Sequence, residues 1–199
     1  MPYPVTVAVE TRIENRDRLT CAFRPILAIP HSILVGPAIW INRAGTAGLI
    51  GGAAYVLAVV SWFTLLISAT QPEGIRDFQM FYLRWKTRAL AYMGLFVDLY
   101  PPFGDATYPA SIEVGAAPAV RDKSTIAVRL LLVLPHALVL TFLVLAWFLT
   151  TVLAWFAILF TGSFPAGLGQ FGVGVMRWIL RVEAYLLLLV DEYPPFSLD

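Results

Sequence analysis

Long apolar runs separated by short polar bands organise this chain, and the period within each run predicts what it forms. Val5, Val7 and Val9 alternate with Thr6, Ala8 and Glu10, and Ile112 and Val114 alternate with Ser111 and Glu113, the two-residue period of a half-buried strand. A lone strand leaves its backbone unpaired. The two copies therefore pair with each other or with a partner's edge, or stay as coil. From Leu19 to Ile41 the chain is apolar but interrupted by Arg24, Pro25, Pro30 and Pro37, which predicts a kinked or interfacial first helix. Ala47 to Ala69 carries no charge, and its 23 residues at about 1.5 Å each exceed the roughly 30 Å hydrocarbon core. Ile126 to Phe160 contains only Arg129 and His136 as ionisable groups. As one helix it would be about 52 Å long, too long for one straight span, so a break is expected. Third helices are predicted from about Phe78 to Leu99 and from Leu168 to Val190.

The pattern occurs twice. Arg84-Trp85, Arg88, Ala91-Tyr92, Leu95, Val97-Asp98 and Tyr100-Pro101-Pro102-Phe103 return 93 positions later as Arg177-Trp178, Arg181, Ala184-Tyr185, Leu188, Val190-Asp191 and Tyr193-Pro194-Pro195-Phe196. Nearer the start the offset is 105: Tyr3-Pro4 matches Tyr108-Pro109, Arg16-Asp17 matches Arg121-Asp122, and Arg24 with Pro30-His31 matches Arg129 with Pro135-His136. The chain is an internal duplication. Residues 1–103 form repeat one and 104–199 repeat two, and repeat one carries twelve extra residues between the two registers.

That insertion bears on how the long apolar run is broken. One solution is a bend at Pro135 followed by one span; the other is a hairpin of two short spans. Asn42-Arg43-Ala44-Gly45 and the following glycines fall where a hairpin would turn, and loops tolerate insertion. The hairpin is the expected form. Thirteen of the fourteen Lys and Arg residues then lie at or near the hairpin bases, with Arg43 alone at a tip. Positive residues in short loops stay cytoplasmic, which places both termini inside. The expected fold is an all-α polytopic membrane protein of two tandem repeats, each a short strand, a transmembrane helical hairpin and an amphipathic Arg/Trp helix ending in Tyr-Pro-Pro-Phe. It has about four transmembrane helices, or six if the third helices span.

Composition agrees: 59% of residues are hydrophobic, 14% are charged and mean hydropathy is +0.75. A net charge of +1 offers no basic excess for nucleic acid. The first nineteen residues are polar, so no cleavable signal peptide is expected. The single Cys21 makes no internal disulfide.

The spacings of four, seven and three hold Arg84, Arg88, Leu95 and Asp98, and likewise Arg177, Arg181, Leu188 and Asp191, on one helical stripe. Such a helix either lies in the headgroup layer with its arginines snorkelling to phosphate, or stands upright with them facing protein. Asp98 and Asp191 lie too far along to pair with the arginines of their own helix. Arg84, Trp85, Arg88, Tyr92 and Asp98, with Arg177, Trp178, Arg181, Tyr185 and Asp191, are the candidate partner or lipid contacts. The six tryptophans read as interfacial anchors or packing residues.

Phe23 to His31 with its counterpart, Trp155 to Gly162, and the terminal Arg-Trp, Arg, Ala-Tyr, Asp, Tyr-Pro-Pro-Phe pattern resemble a bacterial membrane family known as domain of unknown function 4389. The resemblance covers nearly all of repeat two, with repeat one a diverged copy in which Ile67-Ser68-Ala69 replaces Phe160-Thr161-Gly162. It implies a polytopic membrane protein in the bacterial cytoplasmic membrane and supplies no activity or catalytic residue.

Candidate chemistry is sparse. His31 and His136 could form a two-histidine site, and with Arg24 and Arg129 they are the candidate polar membrane site. A metal centre takes three or four ligands, and no Cys, Asp or Glu recurs beside them in sequence. Gly167, Gly169, Gly172 and Gly174 lack the lysine of a phosphate loop and suit close helix packing. No nucleophile with its base is present, so no enzyme, cofactor or metal is expected. The expected function is a membrane scaffold or accessory subunit that packs against a larger complex or a second copy and binds anionic headgroups through the repeated arginines. The alternative is a small oligomeric transporter or channel for an anion or proton.

Overall fold

A computed structural model of the chain describes residues 3–36, 47–116 and 121–199. Elements follow in the order β1 (Val5–Val9), α1 (Arg18–Leu27), α2 (Ile29–Val35), α3 (Gly48–Ser68), α4 (Glu73–Met93), β2 (Ala110–Val114), α5 (Lys123–Thr161) and α6 (Ala166–Leu186). The predicted hairpin tip at Asn42 to Gly45, with Arg43 and the nearby Trp40, lies outside the described residues.

Both repeats open their long helical segment in the same way. The Asp17 carboxylate accepts from the amides of Leu19 and Thr20, and Asp122 accepts from those of Ser124 and Thr125, satisfying helix donors that have no partner within the helix. In repeat two the segment is one helix of 39 residues that contains Pro135, so the expected hairpin is not formed there. Repeat one covers the same length in one direction, in pieces. Trp155 Nε1 donates to the Cys21 carbonyl at 2.8 Å, and Trp62 Nε1 to the Ile126 carbonyl at 2.9 Å. Cys21 and Trp62 therefore sit at opposite ends of α5, which are about 43 Å apart at 1.5 Å per residue. A hairpin would have brought them together.

The described residues on either side of the insertion meet end to end. Gly48, at φ 72°, lies so close to the backbone of Leu34 and Gly36 that a Cβ there would come within 2.4 Å of the Gly36 nitrogen. A side chain is excluded, and α3 resumes where α2 stops.

One face of α5 is packed on protein along its whole length and the other is exposed. Ile126, Arg129, Val133, His136, Leu140, Val144, Trp147, Ala154 and Ile158 form one buried stripe along it, while Leu130, Leu134, Leu138, Leu145 and Phe160 are exposed. Among the described residues, two helices are long and apolar enough to cross a membrane, Gly48–Ser68 and Lys123–Thr161, where four to six were expected.

α4 and α6 form the centre. Tyr82, Leu83, Ala89, Leu90 and Tyr92 of the first, and Val175, Met176, Ile179, Leu180 and Tyr185 of the second, are all buried. Of the two placements left open for these helices, the one with side chains facing protein fits, because residues on every side of α4 and α6 are buried. Each ends at a Schellman motif. Phe96 N bonds to Ala91 O and Leu95 N to Tyr92 O, repeated by Leu189 N to Ala184 O and Leu188 N to Tyr185 O. Leu95 and Leu188 hold the left-handed positions at φ 65° and 63°. The helices thus stop several residues before Tyr-Pro-Pro-Phe.

The strands close the repeats into one body. β1 and β2 pair antiparallel, with Val7 opposite Ile112, residues that are each other's repeat counterparts. A pseudo-two-fold axis therefore passes through that pair, and the reciprocal Trp62–Ile126 and Trp155–Cys21 bonds obey it. β1 packs on α6 of the other repeat, and β2 on α4.

Candidate functional site

The repeated arginines, histidines and aromatics assemble twice, once per repeat, at the C-terminal ends of α4 and α6. A helix C-terminus leaves carbonyls without partners and carries partial negative charge. Arg24 meets both needs. Its Nη1 donates to the carbonyls of Tyr92 and Val97, at 3.1 and 2.7 Å, and its Nη2 to Asp98 Oδ1 at 3.0 Å. The guanidinium lies 4.3 Å from the Tyr92 ring centroid. Arg129 repeats every contact: Tyr185 O and Val190 O at 2.7 and 2.9 Å, Asp191 Oδ1 at 2.9 Å, and the Tyr185 ring at 4.1 Å. In both arginines the buried Nε has no hydrogen-bond partner.

Each aspartate takes a second arginine from the segment before the long helix. Arg16 binds Asp98 at 2.6 Å and Arg121 binds Asp191 at 2.8 Å. Burial pushes the Asp98 carboxyl up, but the Arg16 hydrogen bonds and charge outweigh it and hold the group below the usual carboxylate range. Sequence spacing had excluded ion pairs within the third helices, and the partners prove to be residues 74 and 82 positions away. Arg16 and Arg121 were legible as repeated residues but not as part of this site.

The histidines belong to the same two assemblies and not to each other. Trp85 Nε1 donates to His31 Nδ1 at 3.0 Å, and Trp178 Nε1 to His136 Nδ1 at 2.9 Å. Accepting there requires an unprotonated Nδ1. Tyr-Pro-Pro-Phe turns back over each imidazole: Phe103 stacks on His31 at 4.8 Å and Phe196 on His136 at 4.0 Å, with Tyr100 and Tyr193 at 5.0 and 4.8 Å. Among the described residues no group of three His, Cys, Asp or Glu could hold a metal ion.

Where the remaining candidates lie decides what they can touch. Trp85, Arg88, Tyr92, Trp178 and Tyr185 are buried and out of reach of headgroups. Arg88 donates to the carbonyls of Gly104 and Ala106 and lies 3.7 Å from Asp105, holding the joint between repeats. Arg181 sits 5.9 Å from the Tyr3 ring. Arg84 is half exposed, and Arg177, partly exposed, donates to the Val7 carbonyl.

Two features break the symmetry. At the α4–α6 interface the fully buried Glu183 Oε1 accepts from Lys86 Nζ at 2.8 Å, Tyr82 Oη at 2.6 Å and Tyr55 Oη at 3.0 Å. Burial and the Glu183 charge push the Tyr82 hydroxyl well up. Sequence reading missed this cluster because its members have no repeat counterparts of like chemistry: Leu90 stands for Glu183 and Ile179 for Lys86. The second feature is a cavity of about 490 Å³ between α1, α2, the end of α4 and α5.

The comparisons agree with the duplication. A family model described as Domain of unknown function (DUF4389) matches residues 18–104 and again 123–197. No curated protein and no solved structure matches the chain.

Proposed function

Since this chain belongs to the DUF4389 family and carries its domain twice, we propose that it is an integral scaffold or accessory subunit of the bacterial cytoplasmic membrane, packing through the outer faces of α3 and α5 against a larger membrane complex. One observation carries this reading. The repeated charges Arg16, Arg24 and Asp98, with Arg121, Arg129 and Asp191, are paired inside the protein, whereas the outer faces of the two membrane-length helices present apolar side chains along their length, from Leu49 to Ile67 and from Leu130 to Phe160. A surface of that kind needs lipid or a partner helix. Contact with anionic headgroups narrows to the exposed Arg84 and the partly exposed Arg177 and Arg181, since Arg88 is buried. The topology with both termini inside rested on the hairpins and is not carried forward.

The carrier reading has less support. Arg24, His31, Arg129 and His136 are each at most 2% exposed and bonded within the protein, and the cavity that Arg24 borders is otherwise walled by apolar side chains, which suits a transported ion poorly. Purification of the tagged protein in mild detergent, followed by mass spectrometry of what accompanies it, tests the scaffold reading. Larger membrane proteins in fixed ratio are expected. A clean homo-oligomer that conducts ions or protons in vesicles would replace it with the carrier.

A further inference from the structure

We propose that the cavity beside Arg24 is a binding site for one acyl chain of a membrane phospholipid. The proposal rests on the reading of the chain as membrane-embedded and adds the ligand and its place. The volume, about 490 Å³, lies within the roughly 300–1,000 Å³ of small-molecule sites. Its walls are almost wholly apolar: Met93 and Leu95 on one side, Val144, Trp147 and Phe148 on the other. An aqueous solute would lose its hydration there without compensation, and a hydrocarbon chain would not. The mouth is bordered by Phe148, Val152 and Phe156 of α5, which are 44%, 37% and 46% exposed on a helix long and apolar enough to cross a membrane. It opens where acyl chains are.

The inner wall supplies one further requirement. Arg24, 2% exposed and held by Tyr92, Val97 and Asp98, borders the cavity and places one cationic group in its wall. The ester carbonyl of an acyl chain brings an acceptor to an otherwise apolar site.

The cavity is a product of divergence between the repeats. Where α5 carries Trp147 and Thr151, α3 carries Ala54 and Ala58; where the first repeat has Ala28, Ser32 and Gly94, the second has Val133, Ala137 and Leu187. A Cβ on Gly94 would come within 2.8 Å of the Trp147 ring, so the indole occupies the space a side chain would take. Bulk on α5 thus holds the first repeat's helices apart. Across the axis Ala54, Ala58, Val133 and Leu187 are all buried.

The test uses the full chain reconstituted in vesicles of phosphatidylethanolamine and phosphatidylglycerol, with a trace of phospholipid bearing a photoreactive diazirine in its acyl chain. Cross-linked peptides are read by mass spectrometry. Labelling is expected at the inner residues Met93, Val144 and Trp147 as well as on the exposed outer face at Leu138. In Ala28→Leu with Ser32→Leu, which fills the cavity, labelling of the inner residues should fall severalfold while Leu138 is unchanged. Thr151→Phe fills the cavity from the other wall and serves if the first variant does not fold. Inner labelling absent in the native chain, or unaltered by either filled variant, overturns the site. Absence of labelling at Leu138 as well overturns the membrane reading on which it stands.

Discussion

Lys86 and Glu183 form an ion pair of 2.8 Å between the central helices of the two repeats, with Lys86 3% exposed and Glu183 wholly buried. Breaking such a pair by removing one partner costs about 3–5 kcal/mol, whereas replacing both by apolar groups is often neutral or stabilising. Glu183→Leu should therefore lower stability by several kcal/mol. Lys86→Ile combined with Glu183→Leu, the residues the other repeat carries at these positions, should recover much of the loss. The hydroxyls of Tyr55 and Tyr82 remain orphaned in the double variant and limit that recovery. Thermal unfolding in detergent, run as a double-mutant cycle, measures the coupling.

Asp98 sets an acid limit on stability. Its carboxyl titrates below its ordinary value in the folded state because Arg16 and Arg24 favour the charged form. Its contribution is present above the unfolded pKa of about 3.9 and is lost as pH falls through the lower folded value. Stability should fall on acidification below about pH 4. Asp98→Asn should be less stable than the native chain at neutral pH and show a flatter acid limb. Equal pH slopes for the two would count against the clamp.

The two clamps also show how much the sequence disclosed. Repetition alone picked out Arg24 with Arg129, His31 with His136, and the Tyr-Pro-Pro-Phe ends, all of which enter the sites. It could not say that Asp98 and the Tyr-Pro-Pro-Phe ends join them, because Arg16 and Arg24 reach Asp98 from a segment 74 to 82 positions away, and helical spacing reports only neighbours on one helix. The strand pair was legible from its alternation, with its pairing left open. The unbroken α5 was not foreseen. Length measured against a bilayer demanded a break, but the Ile126, Arg129 and Val133 stripe packs on protein in continuity with Leu140 to Ile158, and that packing favours one helix through Pro135. The arginine stripe suggested headgroups for a similar reason: Arg88 binds backbone carbonyls of the joint that follows its own helix, which composition does not reveal.

Leu95 and Leu188 trade backbone strain for burial. A left-handed residue with a side chain costs about 1–2 kcal/mol relative to glycine. Each leucine is 2% exposed, and truncating a buried leucine costs about 2–5 kcal/mol. Leu95→Gly should therefore destabilise by about 1–3 kcal/mol despite relieving the strain. A stabilised variant in chemical denaturation would show that the motif, and not the packed side chain, dominates.

The Trp–His pairs are predicted to be structural. Trp85→Phe keeps a ring but leaves His31 Nδ1 without its donor, at a cost of about 1–3 kcal/mol, and Trp178→Phe should behave alike through His136. Chelator treatment should leave the unfolding temperature unchanged. A drop on chelation, restored by added zinc, would reveal metal at these histidines.

The antiparallel arrangement of the long segments can be tested with the protein's own thiol. The α1 start lies against the α5 end, where Trp155 Nε1 bonds to the carbonyl of Cys21. A cysteine at position 155 should cross-link to Cys21 within one chain, through a short bifunctional maleimide if the buried Cys21 resists direct disulfide formation. A cysteine at position 62 should not, because it lies at the opposite end of α5, about 43 Å away. If residues 19–69 instead folded as a hairpin, Trp62 would return beside Cys21 and its cysteine would cross-link as well. The pattern of the two variants, read as a mobility shift on denaturing gels, therefore separates the single broken crossing from the hairpin.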